Sequence, residues 1–136
     1  MTDLQQTAAA IMGRYADALD GRDWPLLDRV FAPEITALYG SEPAITGRDA
    51  LVRFIRSFLD ACGPTQHLMG HITVEGEDRT RTQIRAFHRA PGDATVYEAI
   101  GTYHVRWRRE GGDLRAIEWR FEVVVEVGDW RSVCVG

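Results

Sequence analysis

Residues 62–74 read CGPTQHLMGHITV, and within this stretch the chain changes from helical to strand character. Gly63 and Pro64 are predicted to end a helix, because glycine tolerates the left-handed cap and proline cannot continue the helical hydrogen bonds. The β-branched run Ile72-Thr73-Val74 then favours a strand. The stretch therefore divides the chain into a helical first half and a β-structured second half.

The first half contains three segments with apolar residues at helical spacing. They are a first helix from Leu4 to Leu19, a short second helix from Trp24 that ends at 32–34, and a third helix after Gly47 with its apolar stripe from Leu51 to Leu59. A short strand, Ile35–Tyr39, is predicted between the second and third helices.

The second half contains runs rich in branched and aromatic residues, separated by glycine-containing turns. The predicted strands cover residues 67–75, 79–89, 95–109 and 114–127. Helices followed by a meander of long strands indicate an α+β protein with a strongly curved antiparallel sheet.

Composition limits the classes of function. The 136 residues are 45% hydrophobic and 26% charged, which predicts a single globular domain over residues 1–136. A net charge of -4 argues against binding to nucleic acid or to an anionic membrane surface. Without a signal peptide or a membrane-spanning run, the protein is expected in the cytoplasm, with Cys62 and Cys134 as reduced thiols.

Residues two apart in a strand share a face, which assigns a side to each polar group. His88 ends the apolar row Thr82-Ile84-Ala86, so it is either a pocket residue or a rim residue. Thr102 and His104 share one face of the next strand, and parity leaves open whether that face holds a ligand.

The last strand alternates an apolar row, from Ile117 to Val127, with the charged residues Glu118, Arg120, Glu122 and Glu126. The apolar row must be covered, either by a second copy of the chain or by the domain's own helices.

His67 is the leading candidate for chemistry, because an imidazole titrates near neutrality and a strand start is a rigid mounting point. The structural alternatives are a hydrogen-bonded core histidine for His67, a helix-end turn residue for Asp20, and packing roles for Tyr15 and Tyr39. No compact spacing of metal ligands occurs, so no metal is predicted.

Three local signatures together resemble a known superfamily. They are Leu19-Asp20-Gly21-Arg22-Asp23-Trp24, Phe31-Ala32-Pro33 and Thr65-Gln66-His67. Their order and spacing resemble the nuclear-transport-factor-2-like superfamily, and within it the SnoaL-like group that includes scytalone dehydratase and bile-acid dehydratases. The resemblance implies a cystatin-like cone, in which N-terminal helices pack into the curved sheet and enclose a mostly apolar pocket.

The same resemblance implies residue roles. His67 matches a proton-transferring histidine, Asp20 the aspartate that positions it, and Tyr39 a tyrosine that orients water or a substrate oxygen. The implied substrate-binding residues are Tyr15, Leu19, Trp24, His88, Thr102 and His104.

The chain also departs from its relatives at these positions. Leu19 replaces a tyrosine of scytalone dehydratase and His104 replaces an asparagine, which argues against the same substrate. Ketosteroid isomerase has its catalytic aspartate where this chain has Tyr39, which argues against that mechanism.

The expected function is a cofactor-independent lyase, namely a dehydratase, or an isomerase or cyclase. It would use His-Asp acid/base chemistry on a small apolar oxygenated molecule such as a polyketide, a steroid-like compound or a terpenoid. The alternatives are a non-catalytic ligand-binding or dimerisation module and an epoxide-hydrolase-like activity. No organic cofactor is expected. The chain is expected to form a homodimer through the convex face of the sheet.

Overall fold

The computed structural model describes residues 3–134. The elements are α1 (Asp3–Asp20), a 3₁₀ helix (Trp24–Arg29), β1 (Phe31–Tyr39), β2 (Ile45–Thr46), α2 (Arg48–Leu59), β3 (Thr65–Glu75), β4 (Arg79–Arg89), β5 (Val96–Glu110), β6 (Asp113–Val127) and α3 (Trp130–Val133). The predicted α+β class is confirmed. Within the described residues, no helix has the length and apolar character needed to cross a membrane.

Six strands form one sheet in the order β2-β1-β6-β5-β4-β3. Strands β3 to β6 are the predicted antiparallel meander. Strand β1 pairs in parallel with β6 and begins at Phe31, which is earlier than predicted, because Phe31 is in register with Ala116. The sequence does not show this pairing, since the two strands lie far apart along the chain.

The core lies between the inner face of the sheet and the apolar sides of the helices. Strand alternation places Tyr103, Val105 and Trp107 of β5 on the inner face, where all three are buried. Helix α1 contributes Ile11, Met12 and Tyr15, each almost fully buried. The rule that apolar residues recur on one face therefore holds for both kinds of element.

A β-bulge at Val124 reverses the parity at the end of β6. Gly101 pairs with Val123 while Ile100 pairs with Val125, so Val124 is the extra residue. Glu126 is consequently opposite Ala99 of the inner face. The expectation that Glu126 shares a face with Glu122 is wrong for this reason.

Cys62 and Cys134 are joined by a disulfide, so the expectation of reduced thiols is wrong. The residues are 72 positions apart in sequence, but their Cα atoms are 4.2 Å apart. The end of α2 and the end of α3 meet in space, which the spacing of cysteines alone does not show. The bond ties the C-terminal helix to the rest of the fold.

Candidate functional site

A cavity of about 320 Å³ lies between the inner face of the sheet and helices α1, α2 and α3. Aromatic and aliphatic side chains form most of its wall. They include Tyr15, Leu19, Tyr39, Phe54, Ile55, Phe58, Leu59, Tyr97, Tyr103, Phe121, Val123 and Trp130. His67 and His88 supply its imidazoles, and Glu42 and Glu126 supply its carboxylates. A mostly apolar cavity with a few polar groups is the usual form of a small-molecule site.

His67 and Asp20 are directly hydrogen-bonded. The Nδ1 atom of His67 lies 2.7 Å from Oδ1 of Asp20, and the backbone N–H of His67 donates to Oδ2 at 2.9 Å. Burial raises the pKa of Asp20, but the hydrogen bonds from His67 and Thr65 outweigh it and hold that pKa below its usual value. Because an ionised carboxylate only accepts, Nδ1 carries the proton and Nε2 of His67 is the basic nitrogen.

Arg22 holds the two partners of this pair together, and sequence reasoning did not select it. Its guanidinium donates to the carbonyl oxygens of Leu19 and Gly63 and to Oγ1 of Thr65, at 2.7, 2.8 and 2.8 Å. Thr65 in turn donates to Asp20 at 3.0 Å. Arg22 therefore connects the end of α1 to the beginning of β3. The two segments that it connects are the local signatures at residues 19–24 and 65–67. Their joint presence in the sequence is the signal that could have pointed to Arg22.

Among the described residues, four tyrosines line the cavity, and three of them, Tyr15, Tyr39 and Tyr103, lie next to one another. The hydroxyls of Tyr15 and Tyr103 are 2.7 Å apart, and Tyr39 accepts a hydrogen bond from Nε1 of Trp119 at 2.9 Å. Burial raises the pKa of each tyrosine above its usual value. All three therefore keep their protons at neutral pH. One proton is used in the hydrogen bond between Tyr15 and Tyr103, which leaves Tyr39 and one hydroxyl of that pair to donate to another oxygen. Tyr103 is not among the residues that the sequence predicts for the site; the available signal is that it lies between Thr102 and His104 and so faces the other side of the strand.

His88 lies in the cavity wall, and of the two alternatives the pocket position is the observed one. Its ring centroid is 5.7 Å from that of His67, and its Nδ1 lies 3.2 Å from the carbonyl oxygen of Tyr97. Burial lowers the pKa of His88 to about 4, and the neighbouring His67 adds to this effect. His88 is thus neutral at pH 7 and donates through Nδ1, which leaves Nε2 as an acceptor.

Glu126 reaches the cavity because of the bulge at Val124, and nothing in the sequence pattern indicated this. The hydroxyl of Tyr97 donates to Oε1 of Glu126 at 2.6 Å. Burial raises the pKa of Tyr97, and the hydrogen bond and negative charge of Glu126 raise it further.

Three of the expected substrate-binding residues do not line the cavity. Thr102 and His104 lie on the opposite face of β5, because Tyr103 occupies the inner face. Nε2 of His104 lies 2.9 Å from Oε1 of Glu122, and His104 lines a separate groove. Trp24 packs beneath the guanidinium of Arg56, 5.7 Å from its ring centroid. Leu19 and Tyr15, by contrast, do reach the cavity.

The metal prediction stays a prediction. In the part of the chain that the structure describes, no group of three or more His, Cys, Asp or Glu side chains could hold a metal ion.

The fold agrees with a comparison against family models. Residues 6–131 match the model of the SnoaL-like domain. The chain belongs to the SnoaL-like family. A comparison with curated proteins found no match.

Solved structures show the same fold. A candidate scytalone dehydratase from Novosphingobium aromaticivorans has a TM-score of 0.83 and 19% identity, over 95% of this chain and 92% of that one. A candidate SnoaL-like polyketide cyclase from Jannaschia sp. CCS1 has a TM-score of 0.71 and 15% identity, over 90% and 89%.

A third similar structure is the hexachlorocyclohexane dehydrochlorinase LinA type 2. Its TM-score is 0.76 and its identity is 11%, over 94% of this chain and 93% of that one. At these identities the likenesses establish the cone fold of this SnoaL-like chain, and its chemistry must be argued from its own residues.

Proposed function

We propose that this SnoaL-like protein is a cofactor-independent lyase, of the dehydratase type, or an isomerase or cyclase. It acts on a small apolar oxygenated molecule by His-Asp acid/base chemistry. The observation that carries the proposal is the 2.7 Å contact that Asp20 makes with His67, a residue in the wall of an apolar cavity. An oriented imidazole in such a cavity is suited to moving a proton at carbon.

Nε2 of His67 is the proposed base, and it removes a proton from the carbon next to a substrate carbonyl. The imidazolium that forms is stabilised by the Asp20 carboxylate on Nδ1. Electron density moves to the carbonyl oxygen, where a tyrosine hydroxyl can donate a hydrogen bond. Tyr39 is the proposed donor, with Tyr15 and Tyr103 beside it.

In an elimination, the enolate expels a hydroxyl group from the adjacent carbon. The proton now on Nε2 of His67 is transferred to the departing oxygen, so water leaves and the base is regenerated. In an isomerisation the same proton returns to a different carbon. Both reactions are balanced without an external oxidant or reductant, and neutral His88 can hold a substrate hydroxyl through Nε2.

The similar proteins support this class. A dehydratase removes water and a dehydrochlorinase removes hydrogen chloride, and both names stand among the similar structures. Each reaction combines loss of a proton with departure of an electronegative group.

A direct test measures deuterium exchange at the α-carbons of neutral cyclic ketones, 2-tetralone and 1-indanone, by NMR in D₂O. We expect the wild-type protein to accelerate the exchange and His67→Ala to reduce it by about 10²-fold or more, while the fold is retained. His71→Ala is the matched control, because His71 lies on the same strand but is exposed. Exchange that survives in His67→Ala within a few-fold, or no acceleration by the wild type, would contradict the proposal.

The substitution Tyr39→Phe tests the proposed hydrogen-bond donor to the substrate oxygen. Loss of its hydroxyl is expected to reduce the exchange rate by about tenfold or more, since a donor to the developing oxyanion is removed. An unchanged rate would show that Tyr39 is not the donor and would leave Tyr15 and Tyr103 as the candidates.

The homodimer is also proposed. Val125 and Val127 of β6 are 47% and 54% exposed, and an apolar strand face of this kind is suited to contact with a second copy. Sedimentation of the full chain tests it, and a monomer at micromolar concentration would contradict it.

The cytoplasmic location stays a prediction. The disulfide removes the argument from reduced cysteines on which it was partly based.

A further inference from the structure

The charged groups of the cavity have one sign. Glu126 and Glu42 are its carboxylates, and among the described residues that line it there is no arginine. The whole sequence contains no lysine, so arginine is the only side chain that carries a positive charge regardless of its surroundings. His88 adds no positive charge at pH 7, because burial lowers its pKa to about 4.

Arg22 is close enough for its charge to act on the imidazole of His88, but its guanidinium does not reach the cavity surface. Arg22 is not among the lining residues, and its guanidinium is used by Leu19, Gly63 and Thr65. The Nδ1 atom of His67 is hydrogen-bonded to Asp20, which is a further carboxylate. A ligand in the cavity therefore meets an excess of negative charge.

Of the two carboxylates that the described residues contribute to the cavity wall, Glu126 is the one that is hydrogen-bonded to another lining residue. Its Oε1 accepts from Tyr97, whose ring is 5.2 Å from that of His88. Its Oε2 has no hydrogen-bond donor among the described residues and is an available acceptor. The Glu126 side chain is exposed, and the Tyr97 hydroxyl orients its carboxylate toward the aromatic wall, where a donor group of a ligand can reach it.

We propose that Glu126 is a specificity-determining residue that binds a hydrogen-bond-donating group of the substrate, a hydroxyl or an ammonium, and excludes carboxylates. The substrates of the cavity are then neutral or cationic compounds with an apolar skeleton. Acids and phosphorylated molecules are disfavoured, because their charge would be brought close to the exposed carboxylate of Glu126, with a second carboxylate, Glu42, in the same cavity wall.

This inference rests on the proposed function only in taking this cavity as the substrate site. Four ligands of one skeleton test it: 1-naphthalenemethanol, 1-naphthylmethylammonium, 1-naphthoate and 1-methylnaphthalene. They carry a hydroxyl, a cation, an anion and no polar group. Calorimetric titration of the full-length protein at pH 7 gives each dissociation constant.

We expect the wild-type protein to bind the alcohol and the ammonium at least about tenfold more tightly than the naphthoate, with the hydrocarbon between them. Glu126→Gln keeps the shape of the side chain and removes its charge. It should strengthen naphthoate binding by about tenfold and weaken ammonium binding by a similar factor. The alcohol should change by less than about threefold, because the amide oxygen still accepts.

Glu122→Gln is the matched control. Glu122 lies on the same strand but contacts His104 outside the cavity, so all four affinities should stay unchanged. An unchanged ratio of ammonium to naphthoate affinity in Glu126→Gln would overturn the inference. Equal effects of the two substitutions would also overturn it, since that would reflect net charge and not the site.

The two proposals fail in different ways. Naphthoate binding as tight as the alcohol in the wild type would overturn the role of Glu126, while His67-dependent exchange of neutral ketones could remain. Failure of all four ligands to bind at millimolar concentration would overturn the inference itself. Loss of the His67 dependence alone would instead contradict the proposed chemistry and leave the charge selectivity intact.

Discussion

Asp20, the last residue of α1, accepts hydrogen bonds from both the ring and the backbone of His67, at 2.7 and 2.9 Å. One carboxylate thus fixes the position of the strand and the orientation of its imidazole at the same time. The pair combines a structural and a chemical role, because the contact that joins helix to sheet also selects the histidine tautomer. Arg22 and Thr65 support the same junction.

Asp20→Asn should separate these two roles. The amide can keep the backbone contact but loses the charge that stabilises the imidazolium. We expect α-proton exchange to fall by on the order of 10²-fold, with a much smaller effect on ligand affinity. Exchange rates measured from pH 5 to 9 check this, because a base of altered tautomer changes the pH profile as well as the rate. Asp17→Asn, at an exposed position one turn earlier, is the control. Equal rates in the two variants would show that Asp20 has no part in proton transfer.

Burial of His88 predicts a pH-dependent stability. In the unfolded chain His88 takes up a proton near its usual pKa of 6.5, whereas in the folded protein burial lowers the pKa to about 4. The stability linked to its neutral form is therefore present above about pH 6.5 and is lost as the pH falls towards 4.

Urea unfolding at pH 7.0 and 4.5 measures this contribution. Between these values, the unfolding free energy of His88→Gln should fall less than that of the wild type, by on the order of 2 kcal/mol. His71→Gln, at an exposed position, should follow the wild type. Identical pH dependence in wild type and His88→Gln would contradict the assignment of a lowered pKa.

The disulfide closes a long loop and should stabilise the fold. Cys62→Ser and Cys134→Ser should each lower the free energy of unfolding by about 2–4 kcal/mol, as expected for a bridge across 72 residues. Wild-type protein with a dithiol reductant should lose the same amount, while the variants should not respond. If the reductant has no effect on wild-type stability, the bridge is not formed in solution.

Gly101 is needed for the sheet to pack at the bulge. A Cβ at this position would lie 2.2 Å from the carbonyl oxygen of Glu122 and 2.8 Å from the ring of Phe121. Gly101→Ala should therefore destabilise the protein by about 3 kcal/mol, since backbone and ring must both move.

Gly13→Ala is the matched control within α1. Apart from its chain neighbours and the backbone of its own helix, no described residue has an atom within 4 Å of the added methyl group, so the change should stabilise the helix by about 0.5–1 kcal/mol. Thermal unfolding of both variants provides the comparison. A Gly101→Ala protein as stable as the wild type would mean that the strand pairing around Val123 is different.

Much of the fold could be predicted because its signals are local. The helical spacing of apolar residues in α1 and the breaker at Gly63 and Pro64 gave the order of elements. The alternation in β4 correctly placed Ile84 and Ala86 on the inner face. These features depend on residues within one or two turns or one strand, where periodicity is a physical consequence of backbone geometry.

The sequence was a weaker guide to which residues line the cavity. Tyr103 and His104 are neighbours, and either could face the ligand until β5 pairs with β4 and β6 and packs against α1. Glu126 depends on a single extra residue at Val124, which has no sequence signature. The disulfide depends on the meeting of two helix ends 72 residues apart.

By itself, the sequence determined the α+β order of elements, the family resemblance and the candidate pair Asp20 and His67. Only the tertiary structure decided that Tyr103 and Glu126 face the cavity, that Thr102 and His104 do not, and that the two cysteines are bonded. The physical reason is that periodicity reports which residues share a face. Strand pairing, bulges and long-range closure decide which face encloses the cavity.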